Sequence, residues 1–125
     1  MRFFSTNSAK YTGKTDTKFT IRPYRRSDRS DVLQITRDVF GEVCLEAIIE
    51  KHFGEINDTD WSERKCNGID SDLTYYGKST FVAEYHGEVV GYITTRLYHR
   101  YRIGHVANLA VKKECQGRGI GRGLI

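Results

Sequence analysis

Glycine and arginine are concentrated in the segment 107–125, which reads A-N-L-A-V-K-K-E-C-Q-G-R-G-I-G-R-G-L-I. An apolar strand comes first, a glycine-rich turn follows, and the last residues are typical of the start of an apolar helix. Such a turn suits anions, because the first N–H groups of a helix have no intrahelical partner and glycine lets a ligand approach the main chain. Arg118 and Arg122 add positive charge, so this pattern predicts a phosphate ligand.

Two common phosphate-binding patterns are excluded by the spacing of these glycines. The dinucleotide pattern G-x-G-x-x-G fails, because its last position falls on Arg122 or on Leu124. The P-loop pattern fails because the segment lacks its Lys-Ser/Thr pair. What remains is Q-x-x-G-x-G, formed by Gln116, Gly119 and Gly121 shortly after a strand that ends in L-A-V.

The charge of the chain is unevenly distributed. Residues 96–125 carry seven basic side chains and one acidic side chain, which is a net charge of +6. Since the whole sequence has a net charge of +4, residues 1–95 have a net charge of −2. Residues 38–72 hold ten acidic and three basic side chains, a net charge of −7. The basic end suits phosphates, whereas the acidic stretch suits either a cationic substrate or a solvated helix face.

The composition is that of a single globular domain. A chain of 125 residues with 38% apolar residues has the size and content of one domain, and no apolar run approaches the roughly 20 residues needed to span a bilayer. Three cysteines without a C-x-x-C pair argue against a disulfide framework or a zinc site and favour the cytoplasm. Residues 1–18 show no periodicity and are predicted to be a disordered N-terminal extension, ahead of one domain at 19–125.

A short strand and three helices are predicted in the first half of the domain. The strand is Phe19 to Pro23, which ends where proline removes a ladder donor. Ser27 and Asp28 are N-cap candidates for the first helix, whose apolar residues are Val32, Leu33, Ile35, Val39 and Phe40. The second helix is expected to end at Gly54, with an apolar stripe of Val43, Ala47, Ile48 and Phe53. Residues 57–59 resemble a turn and cap, and Trp61 to about Asp72 is predicted to be a short third helix, partly loop.

The sequence of the second half of the domain predicts strands. From Ser79 the apolar period becomes two, and the turn residues His86 and Gly87 indicate an antiparallel hairpin. Gly91 lies inside its second strand and indicates a bulge or a close backbone approach. A third strand is expected from Ile103 to Val111, before the glycine-rich turn.

These residues resemble the GNAT family of N-acetyltransferases, whose signature Q/R-x-x-G-x-G/A follows a strand. The resemblance covers roughly Phe19 to Ile125 and includes the opening I-R-P-Y-R-R-S-D. It implies an α/β fold with a mixed, mostly antiparallel sheet flanked by helices. Since the family continues with a further helix and strands, it also implies a C-terminally incomplete domain, whose open sheet edge would favour self-association.

The resemblance implies a binding site for acetyl-coenzyme A, with no metal. The strand residues whose backbone would bond the pantetheine arm are Leu109, Ala110 and Val111. The residues of the pyrophosphate loop would be Gln116, Gly117, Arg118, Gly119, Ile120 and Gly121. The implied reaction is direct attack of a primary amine of a small molecule or a protein on the thioester.

Amine acetylation needs a base, because a lysine-like amine with a pKa of about 10.4 is neutral only about once in 10³ molecules at pH 7. Several members of the family place a catalytic glutamate on the strand before the motif, and His105 falls at that position. Glu84 and Asn108 are rival polar residues on neighbouring strands. The acid that protonates the departing thiolate, commonly a tyrosine in the family, would lie beyond this chain.

Two other functions compete with amine acetylation. Basic and aromatic residues interleave between Arg96 and Arg102, as on the stacking platforms of nucleic-acid-binding modules. A non-catalytic domain that binds acyl-coenzyme A would share the same loop. The sequence does not identify the acceptor amine, although the acidic stretch favours a cationic one. No membrane partner is expected.

Overall fold

The computed structural model describes residues 18–125, so the predicted disorder of residues 1–18 falls, except for Lys18, outside the described residues. The strands are β1 (Thr20–Pro23), β2 (Phe81–Tyr85), β3 (Glu88–Tyr98) and β4 (Ile103–Val111). The helices are α1 (Arg29–Phe40), α2 (Leu45–Phe53), α3 (Trp61–Tyr76) and α4 (Ile120–Leu124). The described residues thus form an α/β fold, as predicted.

The four strands form one antiparallel sheet in the order β1-β2-β3-β4. The predicted hairpin is confirmed: His86 and Gly87 turn between β2 and β3 with φ values of 52° and 75°, the positive range that such a tight turn needs. β4 lies at an edge, and no strand of residues 18–125 pairs with its other side. The register between β3 and β4 shifts between Thr94 and Thr95, which leaves Ala107 as a bulge in β4.

Each face of the sheet packs against different helices. On one face, α1 and α3 cover a core that includes Val82, Tyr92 and Ala110. On the other face, α4 packs with Ile120 and Leu124 onto residues of β2, β3 and β4. Gly91 permits a close approach, as predicted, because a Cβ there would lie 3.0 Å from the carbonyl oxygen of Ala110.

The helices differ from the sequence prediction in their packing. The predicted apolar stripe of α2 is buried only at Ala47, since Val43 and Phe53 are 81% and 83% exposed and Ile48 is also exposed. Among residues 18–125, no element covers this part of the helix. A periodic apolar pattern indicates a helix, but it does not identify the surface that will cover it.

The capping residues of α1 and α3 differ from the prediction. Asp28 precedes α1 but caps no N–H of it, because its carboxylate instead accepts two bonds from Arg22 and one from the N–H of Arg25. α3 begins at Trp61, as predicted, but it extends to Tyr76, and its cap is Asp60, whose side chain accepts a bond from the N–H of Glu63 at 2.8 Å. That bond lowers the pKa of Asp60 below its ordinary value.

Candidate functional site

A cavity of about 280 Å³ lies between the end of β4 and the glycine-rich loop. Eight of the nine predicted cofactor-binding residues line it: Leu109, Ala110, Val111, Gln116, Gly117, Gly119, Ile120 and Gly121. The strand carries the first three to the rim, and the loop carries the others across from them. Residues that a spacing pattern predicted as cofactor-binding therefore line the same cavity.

The backbone of β4 presents unpaired groups to this side. The N–H of Lys112 donates to the carbonyl oxygen of Val90 at 2.8 Å, and residues of an antiparallel pair alternate between facing the partner strand and facing away. In the observed register, Leu109 and Val111 therefore direct their N–H and C=O groups away from β3. These groups point to the edge on which residues 18–125 provide no further strand.

Gln116 holds the loop against the strand. Its side-chain amide donates to the carbonyl oxygen of Val111 at 2.9 Å, which occupies one of the outward-facing groups of β4. Gly117 and Gly119 follow with φ values of 80° and 83°, a range that side chains other than glycine rarely adopt. The glutamine and the glycines of the motif thus shape the loop, and the sequence pattern identified all of them.

The two arginines of the loop lie in different surroundings. Arg118, the ninth predicted residue, is not among the cavity-lining residues. Its guanidinium lies 5.4 Å from the ring centroid of Tyr85 and donates to the Tyr85 hydroxyl at 3.3 Å. Arg122 is exposed. The spacing of the two arginines did not reveal this difference, because it arises from the position of the buried Tyr85.

Two cavity-lining residues were missed by the sequence analysis. Val39 comes from α1, and the sequence analysis named it only as one of the apolar residues of that helix. Cys115 precedes the loop and is fully buried, and burial raises the pKa of its thiol to about 11. Nothing in the spacing of the sequence marks a helix residue such as Val39, because a tertiary contact brings it to the loop.

Two of the three predicted catalytic candidates, His105 and Glu84, lie apart from the cavity. His105 is exposed on β4, opposite Arg96 of β3, and it is four residues from Leu109, about 13 Å along the strand. Glu84 lies on β2, where it accepts a bond from Nε of Arg22 at 2.9 Å. Asn108, the third candidate, is buried beside Leu109. The structure therefore brings only Asn108 next to the cofactor-binding residues.

Asn108 belongs to a polar cluster that connects β4 with β3 and α3. Its amide nitrogen donates to Asp72 at 3.1 Å and to Thr94 at 2.9 Å. Its oxygen accepts a bond from Nζ of Lys65 at 3.0 Å. Arg96 donates to both carboxylate oxygens of Asp72, at 2.8 and 3.2 Å. These bonds satisfy the buried side chains and fix β4 at its bulge.

Two kinds of feature are absent from residues 18–125. No group of three or more histidine, cysteine, aspartate or glutamate side chains there has a metal-binding arrangement. Each helix in the same range is too short or too polar to span a membrane.

Comparisons with known proteins agree with the fold and the loop. The profile of the Acetyltransferase (GNAT) family matches residues 40–125. An uncharacterized N-acetyltransferase of Methanocaldococcus jannaschii is 48% identical over 50 residues, which are 40% of this chain and 31% of that protein.

Solved structures share the fold. A Pyrococcus horikoshii protein matches 86% of this chain and 66% of its own length, with a TM-score of 0.61 and 21% identity. The N-acetylglutamate synthase of Neisseria gonorrhoeae, complexed with coenzyme A and N-acetyl-glutamate, matches 86% of this chain and 20% of its own length, with a TM-score of 0.53 and 16% identity. The chain therefore spans less than two thirds of these relatives. Since the family profile covers more than half of the chain, this chain belongs to the GNAT family of acetyltransferases.

Proposed function

We propose that this protein transfers an acetyl group from acetyl-coenzyme A to a primary amine by direct attack. The observation that carries the proposal is the cavity between the open edge of β4 and the Gln116–Gly121 loop. Its lining residues include those of the family motif, and its two walls offer different groups. One wall offers backbone donors and acceptors of a strand, and the other offers glycine backbone.

The two walls suit the two parts of the cofactor. The outward N–H and C=O groups of Leu109 and the N–H of Val111 would bond the amides of the pantetheine arm, as a strand would. The loop N–H groups of Gly117, Gly119 and Gly121 would bond the pyrophosphate, with the exposed Arg122 nearby. We keep Arg118 in the proposed set for its backbone, since its side chain contacts Tyr85.

Direct attack is favoured over an acetyl-cysteine intermediate. The thiolate is the nucleophilic form of cysteine, and burial raises the thiol pKa of both Cys66 and Cys115. Cys115, the cysteine that lines the cavity, has a pKa of about 11 and is protonated at neutral pH. The chain therefore offers no activated thiol at the proposed cofactor site.

His105 stays the proposed base. Its exposed imidazole and its separation from Leu109 mean that it would act on an acceptor that reaches along β4. The His105→Ala variant tests this role, and unchanged turnover would remove His105 as the base without affecting the rest of the proposal.

The competing functions receive less support. The family match does not favour a nucleic-acid-binding module, and Arg96, the first residue of the basic aromatic stretch, forms an ion pair with Asp72. An acyl-coenzyme A sensor differs from the enzyme only in lacking transfer. A cytoplasmic location and self-association through the β4 edge stay predictions.

A transfer assay tests the proposal. The chain is incubated with acetyl-coenzyme A and a panel of amines (spermidine, L-lysine and a lysine-containing peptide), and the release of free coenzyme A thiol is measured. We expect release that depends on one of the amines and that falls in the Gln116→Ala variant, which loses the bond to Val111. Binding of coenzyme A without release for any amine would support the sensor, and no binding would refute the proposal.

A further inference from the structure

Lys65 of α3 is a half-buried cation that has no carboxylate partner among the described side chains. Its Nζ donates to the side-chain oxygen of Asn108 at 3.0 Å and lies 4.4 Å from the ring centroid of Phe40. Among the side chains that the structure describes in residues 18–125, which do not include that of Glu42, these are its only polar or charged contacts, and no carboxylate lies at ion-pair distance. A neutral amide and a ring face hold the ammonium group in place but do not neutralise it.

The surrounding cluster has one positive charge in excess. Its charged members are Lys65, Arg96 and Asp72, which are two cations and one anion. Both oxygens of Asp72 accept bonds from Arg96, and one also accepts a bond from Asn108. Because the amide nitrogen of Asn108 serves Asp72 and Thr94, its oxygen is left to face Lys65. The charge of Lys65 is thus fixed in position, and no described carboxylate compensates it.

Lys65 is not among the residues that line the cavity, but its contacts place its charge near one end of it. Its two contacts, Asn108 and Phe40, are the chain neighbours of the cavity-lining residues Leu109 and Val39. The glycine loop forms the other end. If the pyrophosphate binds at the loop and the pantetheine arm follows β4, the reactive end of the cofactor lies toward Leu109. The acceptor amine must approach there.

We propose that the acceptor carries a carboxylate near its reactive amine and that Lys65 binds this carboxylate. A half-buried ammonium is stabilised by an anionic partner, and a charge-assisted bond of this kind is among the stronger polar contacts. A singly charged carboxylate matches the single excess charge of the cluster. This inference rests on the proposed acetyl transfer and names the substrate class for the same site.

The acidic segment 38–72 favours the opposite prediction, a cationic acceptor, but several of its carboxylates are already engaged. Arg64 pairs with Glu50 at 3.3 Å, and Arg29 pairs with Asp70 at 2.6 Å. Asp60 caps α3, and Asp72 belongs to the cluster described above. The formal charge of the segment therefore overstates the field that an acceptor would meet.

The first experiment detects the anion site without enzyme activity. The side-chain Cε signals of lysine are recorded by NMR during titration with propionate at constant ionic strength, with propionamide as the neutral control. We expect a saturating shift of the Lys65 signal with propionate alone, and no comparable shift of the exposed Lys51. The Lys65→Met variant assigns the signal. Equal shifts of both lysines would indicate only a general ion effect and would overturn the proposal.

The second experiment compares two acceptors that differ in the carboxylate. L-Lysine and cadaverine are titrated into the chain saturated with coenzyme A, which prevents turnover, and dissociation constants are measured by calorimetry. We expect L-lysine to bind about tenfold more tightly, the value of one hydrogen bond to a charged group. Lys65→Met should abolish this preference, Lys65→Arg should retain it, and the control Lys51→Met should not change it.

The outcomes separate the two proposals. If cadaverine binds as tightly as L-lysine, the carboxylate inference is overturned while acetyl transfer stands, and the cationic acceptor is favoured. If coenzyme A does not bind but Lys65 still responds selectively to propionate, the proposed function fails and the anion site stands.

Discussion

Asp28 and Asp72 are two buried aspartates that each pair with an arginine, at opposite edges of the sheet. Asp28 lies beside β1 and is held by Arg22, whose side chain is 13% exposed, and by the N–H of Arg25. Asp72 lies beside β3 and β4 and is held by Arg96, whose side chain is 37% exposed. Arg22 also bonds Glu84, so the first cluster has one cation and two anions.

The difference between these clusters indicates different roles. None of the three members of the Arg22 cluster lines the cavity, so we assign its bonds to the stability of the fold. The cluster of Asp72 continues through Asn108, the chain neighbour of the cavity-lining Leu109, to Lys65, and its described side chains carry one positive charge in excess. A buried ion pair therefore does not by itself mark a functional site; an uncompensated charge beside a cavity is the more informative feature.

The largest effect is expected from Asp28→Ala. Removing one partner of a buried ion pair leaves the other charge uncompensated, which costs about 3–5 kcal/mol in the free energy of unfolding. Urea unfolding monitored by circular dichroism measures the change. A loss below about 1 kcal/mol would show that the Arg22 cluster does not stabilise the fold as described.

The same pair makes stability depend on pH. The bond with Arg22 lowers the folded-state pKa of Asp28 below its ordinary value. Its contribution to stability is therefore complete above pH 4, near the unfolded pKa of about 3.9, and is lost as the pH falls toward the lower folded pKa. Asp28→Ala should have a flatter stability profile below pH 4 than the unsubstituted chain.

A smaller loss is expected from Asp72→Ala. Arg96 is more exposed than Arg22 and can be solvated when its partner is removed, so we expect about 2 kcal/mol. Because Asn108 also loses an acceptor, the amide would no longer be held toward Lys65. Urea unfolding measures the first effect, and the propionate titration of Lys65 measures the second. A loss that exceeds that of Asp28→Ala would reverse the comparison.

Matched glycine substitutions separate the binding loop from an ordinary turn. Gly119 and Gly87 have φ values of 83° and 75°, and a Cβ at either position would meet no protein atom within 4 Å. Alanine should therefore cost about 1–2 kcal/mol of stability at both positions through backbone strain. Only Gly119→Ala should also weaken coenzyme A binding, because the methyl group would lie where the pyrophosphate approaches. Equal affinities of the two variants for coenzyme A would contradict the loop assignment.

The smallest effect distinguishes the two arginines of the loop. Arg122→Ala should weaken coenzyme A binding about tenfold, the value of one bond to a charged group. Arg118→Ala should mainly reduce the melting temperature, because its side chain lies over Tyr85. Calorimetry measures the affinity and thermal unfolding measures the melting temperature. If Arg118→Ala weakened coenzyme A binding and Arg122→Ala did not, the side chain of Arg118 would be the one that contacts the phosphate.

Local patterns in the sequence predicted the parts of the fold that local physics determines. The period of two and the His86-Gly87 pair predicted the hairpin, and the glycine spacing predicted the loop that lines the cavity. Contacts between distant residues were not predictable in this way. Asp28 is a typical N-cap residue by type, but Arg22 occupies its carboxylate, and that pairing depends on how β1 meets the start of α1.

The candidate site shows the same limit. In the sequence, Lys65 is only one of three basic residues in the acidic segment 38–72, since nothing there indicates that α3 brings it to Asn108. The start of α3 at Trp61 was predicted correctly, although the capping signal of Asp60 and Glu63 was not identified, and the helix extends beyond its predicted end at about Asp72 to Tyr76. The start of α3 was therefore readable from the sequence, whereas the position of Lys65 required the fold.

Thermal unfolding of the chain with acetyl-coenzyme A, with ATP as a polyanion control, tests the cofactor site most directly. A ligand that binds only the folded state at a hundredfold excess over its dissociation constant stabilises by about 2.7 kcal/mol. We predict one cooperative transition, whose midpoint temperature rises with acetyl-coenzyme A but not with ATP at the same concentration. A midpoint temperature that both nucleotides raise equally, or that neither raises, would contradict a specific acetyl-coenzyme A site between β4 and the Gln116–Gly121 loop.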